Sequence, residues 1–157
     1  MLPNNRSRVL CVDDEEDACE MLSELLSSFG IDATCARSAA SAWSLIKTER
    51  FDLYLLDAWL PGLDGFQFCR ELREFDSKTP ILFYSGAAYD ADKRKGIAAG
   101  ATAYVAKPDV DGLISTMLEL IAKAGAKDVA PLWSRKNVAP AQKSLVPQFF
   151  TVKTACG

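Results

Sequence analysis

Phe51-Asp52-Leu53-Tyr54-Leu55-Leu56-Asp57 runs directly into Ala58-Trp59-Leu60-Pro61-Gly62. A short apolar run bounded by a Pro-Gly turn signal reads as a strand buried on both faces. The run ends on a carboxylate, and in open α/β sheets ligands gather at the carboxyl ends of the strands. Two other apolar runs end on charge: Val9-Leu10-Cys11-Val12 meets Asp13-Asp14, and Tyr104-Val105-Ala106 meets Lys107. Three acids and one cation are thus set at three strand ends.

Outward from this stretch, strands and helices alternate. Arg8 to Val12 reads as a first strand, followed by a helix with Ala18, Leu22, Leu25, Leu26 and Phe29 at helical spacing and Gly30 as its stop. Ile31 to Ala36 is a second strand, and Ser38 is placed to cap a helix carrying Ala39, Ala42, Trp43 and Ile46 on one face. After the third strand, Asp64-Gly65 opens a helix with Phe68, Cys69 and Leu72 inward. A fourth strand, Ile81 to Tyr84, ends on Ser85-Gly86. Asp90 to Ala99 reads as a weaker helix that packs through Ile97 and alanines. Ala103 to Ala106 is the fifth strand, and a last helix spans about Asp111 to Ala124. Five strands alternating with five helices imply right-handed crossovers and a parallel sheet covered on both faces. At this length the expected fold is α/β, a flavodoxin-like doubly wound five-stranded parallel sheet of strand order 2-1-3-4-5. That order puts Asp13, Asp14 and Asp57 together at the switch point, with Ser85 and Lys107 on the neighbouring strand ends.

Composition narrows the function classes. A chain of 157 residues holds one domain with a real core but is thin for two. No apolar run approaches the ~20 residues that span a bilayer, and Met1 to Arg6 has no apolar stretch behind it. A cytoplasmic location without membrane contact is therefore expected. Histidine is absent, which excludes histidine metal sites, histidine bases and a phosphohistidine on this chain. Cys11, Cys19, Cys35, Cys69 and Cys156 show no CxxC spacing, and reduced core thiols are expected. Residues 1–124 hold 13 Lys and Arg against 20 Asp and Glu (net −7), whereas residues 125–157 hold 5 against 1 (net +4). An acidic body with a basic tail argues against direct nucleic-acid binding, which would need a basic face on a folded motif.

Val12-Asp13-Asp14-Glu15, Leu56-Asp57, Pro61-Gly62-Leu63-Asp64-Gly65, Tyr84-Ser85-Gly86-Ala87 and Gly100 to Pro108 resemble the receiver domain of two-component response regulators, over roughly residues 7–124. The resemblance implies that Asp57 is the phosphoacceptor, receiving a phosphoryl group from a sensor histidine kinase or histidine phosphotransfer protein. It also implies Mg²⁺ as cofactor, held directly by Asp14 and Asp57, through water by Asp13, and by the Trp59 backbone carbonyl. Ser85 matches the hydroxyl that meets the phosphoryl oxygens, Lys107 the lysine that pairs with them, and Tyr104 the aromatic that turns inward as Ser85 moves. The chain would be a signalling switch rather than an enzyme on other substrates. Its output would run through protein contacts on the face of the fourth helix, fifth strand and fifth helix, and a homodimer is compatible with this.

The physical logic stands beside the resemblance. Clustered carboxylates repel, and Mg²⁺ takes oxygen ligands while keeping several waters. Phosphoryl transfer depends chiefly on positioning and charge stabilisation. The chain departs from the family in carrying Leu60 and Leu63 where methionines are common, and a bulky Trp59 two residues after Asp57. A large residue there predicts a long-lived acyl phosphate, screened from water. The alternatives are a phosphorelay intermediate, a receiver fragment of a hybrid kinase, or a phosphatase of the haloacid-dehalogenase type. The last wants a second Asp where Trp59 stands. Residues 125–157, with Pro131, Pro140 and Pro147 and the apolar pieces Leu132-Trp133 and Val146 to Phe150, read as a basic tail or linker.

Overall fold

A computed structural model describes residues 6–60 and 62–128. The element order is β1 (Ser7–Val12), α1 (Glu16–Ser28), β2 (Ile31–Ala36), α2 (Ala39–Thr48), β3 (Leu53–Leu56), β4 (Trp59–Leu60), β5 (Leu63–Asp64), α3 (Gly65–Phe75), β6 (Ile81–Ser85), α4 (Asp90–Ala98), β7 (Ala103–Ala106) and α5 (Val110–Asp128). Five of the strands form one parallel sheet in the order β2-β1-β3-β6-β7. Counted along the chain without the short ribbon of β4 and β5, this is the expected 2-1-3-4-5. The antiparallel ribbon itself was not foreseen, because two residues a side carry no periodic signal.

Alternation along the strands builds a core on each face of the sheet. Leu10, Val12, Tyr54, Leu56, Ile81 and Phe83 pack toward Ala42 and Ile46 of α2 and Phe68, Cys69 and Leu72 of α3. Val9, Cys11, Leu53, Leu55, Leu82 and Tyr84 pack toward Leu22 and Leu26 of α1 and Leu113, Ile114 and Met117 of α5. Trp43 of α2 meets Phe68 and Phe75 of α3 edge-on, at ring centroid distances of 5.5 and 5.6 Å. Ser38 caps α2 as expected, its hydroxyl accepting from the Ser41 N–H at 3.2 Å. Gly30, at φ +76°, follows α1 in the left-handed conformation that a helix stop of this kind requires.

Three local expectations change. Ile97 of α4 is 51% exposed, and the helix seats instead through Gly96 and the adjoining Ala99. α5 continues past Ala124 to Asp128, since one glycine (Gly125) costs a helix only about 1 kcal/mol. Cys11, Cys19 and Cys69 are buried free thiols, whereas Cys35 is half-buried. Pro61, Cys156 and residues 129–157, including Leu132-Trp133 and Val146 to Phe150, lie outside the described residues.

The end of α3 is tied down by a polar knot. Arg73 donates to the carbonyls of Gly100 (3.0 Å), Asp76 (3.1 Å) and Thr79 (2.8 Å), joining the α3–β6 and α4–β7 connections. The Asp76 carboxylate accepts from the Tyr54 hydroxyl at 2.9 Å and from the Lys78 and Thr79 N–H groups, both at 3.0 Å. Burial alone would raise the Asp76 pKa, but the hydrogen bonds from Thr79, Lys78 and Tyr54 outweigh it and hold the carboxyl below its ordinary value. A depressed carboxyl adds stability above its unfolded value, about pH 4, and that stability is lost as pH falls through the folded value. Urea titrations from pH 7 downward should therefore show Asp76→Asn less stable than the native chain at pH 7. The gap should close below about pH 4. A gap that is constant with pH would remove the carboxylate from this role.

Candidate functional site

The sheet ladder fixes the functional backbone one residue beyond each strand. Asp13 N–H donates to Ala36 O (3.1 Å), Asp57 N–H to Val12 O (3.0 Å) and Lys107 N–H to Ser85 O (3.0 Å). β1, β3, β6 and β7 are consecutive neighbours, so their ends deliver these residues to one place. Asp13, Asp14 and Asp57 each present a carboxylate oxygen, all within 4.8 Å of one another.

Lys107 bridges two of the acids. Its Nζ lies 2.9 Å from Asp13 Oδ2 and 3.3 Å from Asp57 Oδ2, where the side chains are 27% (Lys107), 5% (Asp13) and 12% (Asp57) exposed. Burial works against the ammonium charge, but the hydrogen bond to Asp13 and the charge of Asp57 prevail and raise the Lys107 pKa above its usual value. The same Nζ sits 5.7 Å over the Tyr84 ring. Lys107 is followed by a cis peptide to Pro108.

The remaining atoms of the cluster are assigned one by one. Asp57 Oδ1 accepts from the Ser85 hydroxyl at 2.8 Å and from the Trp59 N–H at 3.3 Å. Asp13 Oδ1 accepts from the Glu15 N–H at 3.0 Å, so both Asp13 oxygens are engaged. Asp14 is exposed, and among the described residues its carboxylate has no hydrogen bond or ion pair. One lysine against three carboxylates leaves an excess of two negative charges on hard oxygen donors, a set that fits Mg²⁺ or Ca²⁺ and not a soft metal. Trp59, two residues after Asp57, is 68% exposed.

Two glycines complete the site and were not singled out by sequence reasoning for what they do. Gly65, the first residue of α3, donates its N–H to Ala58 O at 2.9 Å. A Cβ on it would stand 2.3 Å from Asp57 O and 2.7 Å from Ala58 O. Gly96 of α4 lies against Tyr104, where a Cβ would come within 2.8 Å of Tyr104 Cδ2 and 3.1 Å of Phe83 Cδ2. Tyr104 is stacked on Phe83 (centroids 5.3 Å, 24°), and its hydroxyl donates to the Ala87 carbonyl. Burial raises the Tyr104 pKa, with the nearby Ser85 hydroxyl opposing it. Tyr104 packs on Phe83 while the Ser85 hydroxyl is hydrogen-bonded to Asp57. Gly96→Ala is expected to destabilise the chain by about 1–2 kcal/mol despite the better helix propensity of alanine. In a Tyr104→Ala background the loss should shrink or reverse, which a double-mutant cycle in urea reads directly. Equal effects in both backgrounds would mean that Gly96 does not accommodate the ring.

The fold and this cluster define a doubly wound α/β protein with an acidic pocket at its switch point. The model of the response regulator receiver domain matches residues 9–119, and the chain belongs to that family. The transcriptional regulatory protein YvrH of Bacillus subtilis is 38% identical over 101 residues, covering 64% of this chain and 42% of that one. The DNA-binding response regulator MtrA of Mycolicibacterium smegmatis is 38% identical over 103 residues, covering 66% and 45%. The chain therefore spans about half the length of the curated relatives it matches. Among solved structures, the receiver domain of the Francisella response regulator 1452 superposes with a TM-score of 0.71 at 28% identity, covering 75% of this chain and 98% of that one. The chemotaxis response regulator CheY4 of Vibrio cholerae gives 0.68 at 28%, covering 74% and 99%.

Proposed function

We propose that this receiver is a phosphorylation-driven switch in which Asp57 accepts the phosphoryl group of a kinase or phosphotransfer-protein phosphohistidine. The observation that carries the reading is the pinning of Asp57 between Lys107 and Ser85, with two further acids alongside. As an Asp57 oxygen bonds to phosphorus, the P–N bond to the donor imidazole breaks. Lys107 and the Ser85 hydroxyl already face the two Asp57 oxygens and are placed to meet the phosphoryl oxygens. Asp14 and Asp57, with the Trp59 carbonyl, would hold Mg²⁺ directly, and Asp13, whose oxygens are engaged, would act through water. Bound Mg²⁺ would offset the repulsion of the acids and draw charge from the phosphoryl oxygens. The chain acts on no other substrate in this reading, and Trp59 in place of a second acid disfavours a dehalogenase-type phosphatase.

Residues 7–124 form the switch and residues 125–157 an appended basic tail. The output is a protein partner on the face of α4, β7 and α5, in the cytoplasm, without nucleic-acid or membrane contact by this chain. YvrH and MtrA bear the names of transcriptional regulators, but the match covers under half of each. Incubation with acetyl phosphate and Mg²⁺ should add one phosphoryl group, mapped by mass spectrometry to the Asp57 peptide. Labelling that persists in EDTA, or maps elsewhere, would refute the assignment.

A further inference from the structure

Lys107 enters the acidic pocket on a flexible side chain, and two of its contacts there are carboxylates that phosphoryl transfer would alter. Its Nζ lies 2.9 Å from Asp13 Oδ2 and 3.3 Å from Asp57 Oδ2, yet the side chain keeps 27% exposure and so has solvent to turn to. A lysine ammonium is a strongly hydrated point charge on a four-carbon stem, and nothing in its own chemistry fixes it in one place. A third contact is of another kind. The Nζ stands over the Tyr84 ring, 5.7 Å from its centroid, within the range at which an ammonium is drawn to an aromatic face.

That ring is buried and fixed by the sheet. Tyr84 is 4% exposed on β6, one residue before Ser85, and its register partner is Val105, two residues before Lys107. Successive strand residues point to opposite faces, so Tyr84 packs toward Leu113, Ile114 and Met117 of α5 while Ser85 bonds to Asp57. Burial alone does not call for an aromatic here, since Leu82 fills the same cluster two residues earlier. Among the described residues the Tyr84 hydroxyl makes no hydrogen bond, so it is the ring that meets Lys107.

We propose that Tyr84 is a positioning residue for Lys107, its ring face a fixed floor that keeps the ammonium over the pocket to meet the incoming phosphoryl group. The role rests on the reading of Asp57 as the phosphoacceptor. As an Asp57 oxygen bonds to phosphorus, the P–N bond to the donor breaks and its electron pair leaves with the imidazole nitrogen. Lys107 must then exchange a carboxylate oxygen for phosphoryl oxygens. The ring is unchanged by this step. It attracts the cation through its face and leaves the three ammonium N–H donors to the oxygens. Without it the lysine is free to turn to solvent or to stay on Asp13.

The test is the rate at which acetyl phosphate with Mg²⁺ labels Asp57 in the full chain. Tyr84→Phe keeps the ring and should label within about twofold of the native rate. Tyr84→Leu should label roughly tenfold more slowly. In a Lys107→Ala background, Tyr84→Leu should add no more than about a twofold loss, because the ring then has no cation to place. A second readout needs neither metal nor phosphoryl group: in proton NMR the Lys107 ε-methylene should resonate upfield of an exposed lysine, shielded by the ring face, in the native chain and in Tyr84→Phe. This measurement stands even if Tyr84→Leu fails to fold. Native-rate labelling of Tyr84→Leu, the same loss with and without Lys107, Tyr84→Phe as slow as Tyr84→Leu, or an unshifted Lys107 ε-methylene would each overturn the proposal. A native chain that takes no phosphoryl group at Asp57 would defeat the phosphoacceptor reading itself, and the proposal with it.

Discussion

Asp57→Asn is expected to take up no phosphoryl group from acetyl phosphate under conditions that label the native chain. The amide has nearly the shape of the carboxylate and can still accept from Ser85, so the loss isolates the nucleophilic oxygen from the packing around it. A second readout distinguishes a reacting centre from a turn cap. Without metal, three carboxylates with oxygens within 4.8 Å share one lysine, and Asp57 is only 12% exposed. Such crowding is unfavourable, and removing one charge should raise metal-free stability by about 1 kcal/mol. Mg²⁺ stabilises a protein that binds it by about 2.7 kcal/mol at a hundred times its dissociation constant. Most of that protection should disappear in Asp57→Asn. Urea unfolding with and without Mg²⁺ measures both quantities. Lower metal-free stability with the Mg²⁺ protection intact would make Asp57 a structural residue and move the site elsewhere.

Gly65→Ala should be among the most damaging single-methyl additions in the chain, at about 3 kcal/mol or more. The new Cβ would meet backbone, at 2.3 Å from Asp57 O and 2.7 Å from Ala58 O, and backbone cannot rotate aside. α3 cannot easily back away either. Asp64 caps it through the Phe66 N–H at 2.7 Å, and Phe66 is held against Phe83 with ring centroids 5.3 Å apart. The strain therefore falls on the turn that carries Asp57. A displacement of about 1 Å in a reacting group can cost 10²-fold in rate, so labelling by acetyl phosphate should slow by at least tenfold alongside the loss of stability. Gly86→Ala is the matched control, since a Cβ at Gly86 meets nothing within 4 Å. Wild-type stability and labelling in Gly65→Ala would show that the turn has slack that the packing does not suggest.

The parts that sequence alone made legible share a physical reason. Buried parallel strands must be apolar throughout, so Val9 to Val12, Leu53 to Leu56 and Ile81 to Tyr84 stand out, and the polar residue that ends each run (Asp13, Asp57 and Ser85) marks the carboxyl edge of the sheet. Asp13, Asp57, Ser85 and Lys107 could be named because they are strand-end residues. What stayed hidden depends on contacts between distant segments. Neither Gly65 nor Gly96 announces that its missing Cβ is filled by Asp57 O or the Tyr104 ring. The register of Cys11 with Cys35 exists only once β1 and β2 are aligned. Ile97 looked like the anchor of α4 because it is apolar, yet the helix seats through its smallest residue, and close approach to Tyr104 leaves Ile97 facing out. Nothing in the sequence around Arg73 signals that it satisfies three carbonyls.

The ion pair of Lys107 with Asp13 joins residues 94 positions apart, nearly the full span of the sheet. Closing a loop of that size costs entropy that the contacts of the sheet must offset. During synthesis the amino-terminal strands emerge first, and Asp13, Asp14 and Asp57 are all made before Lys107. A chain cut short before β7 would carry every acid of the pocket without its counter-charge. The lysine after the last strand thus ties the charge balance of the pocket to the presence of β7.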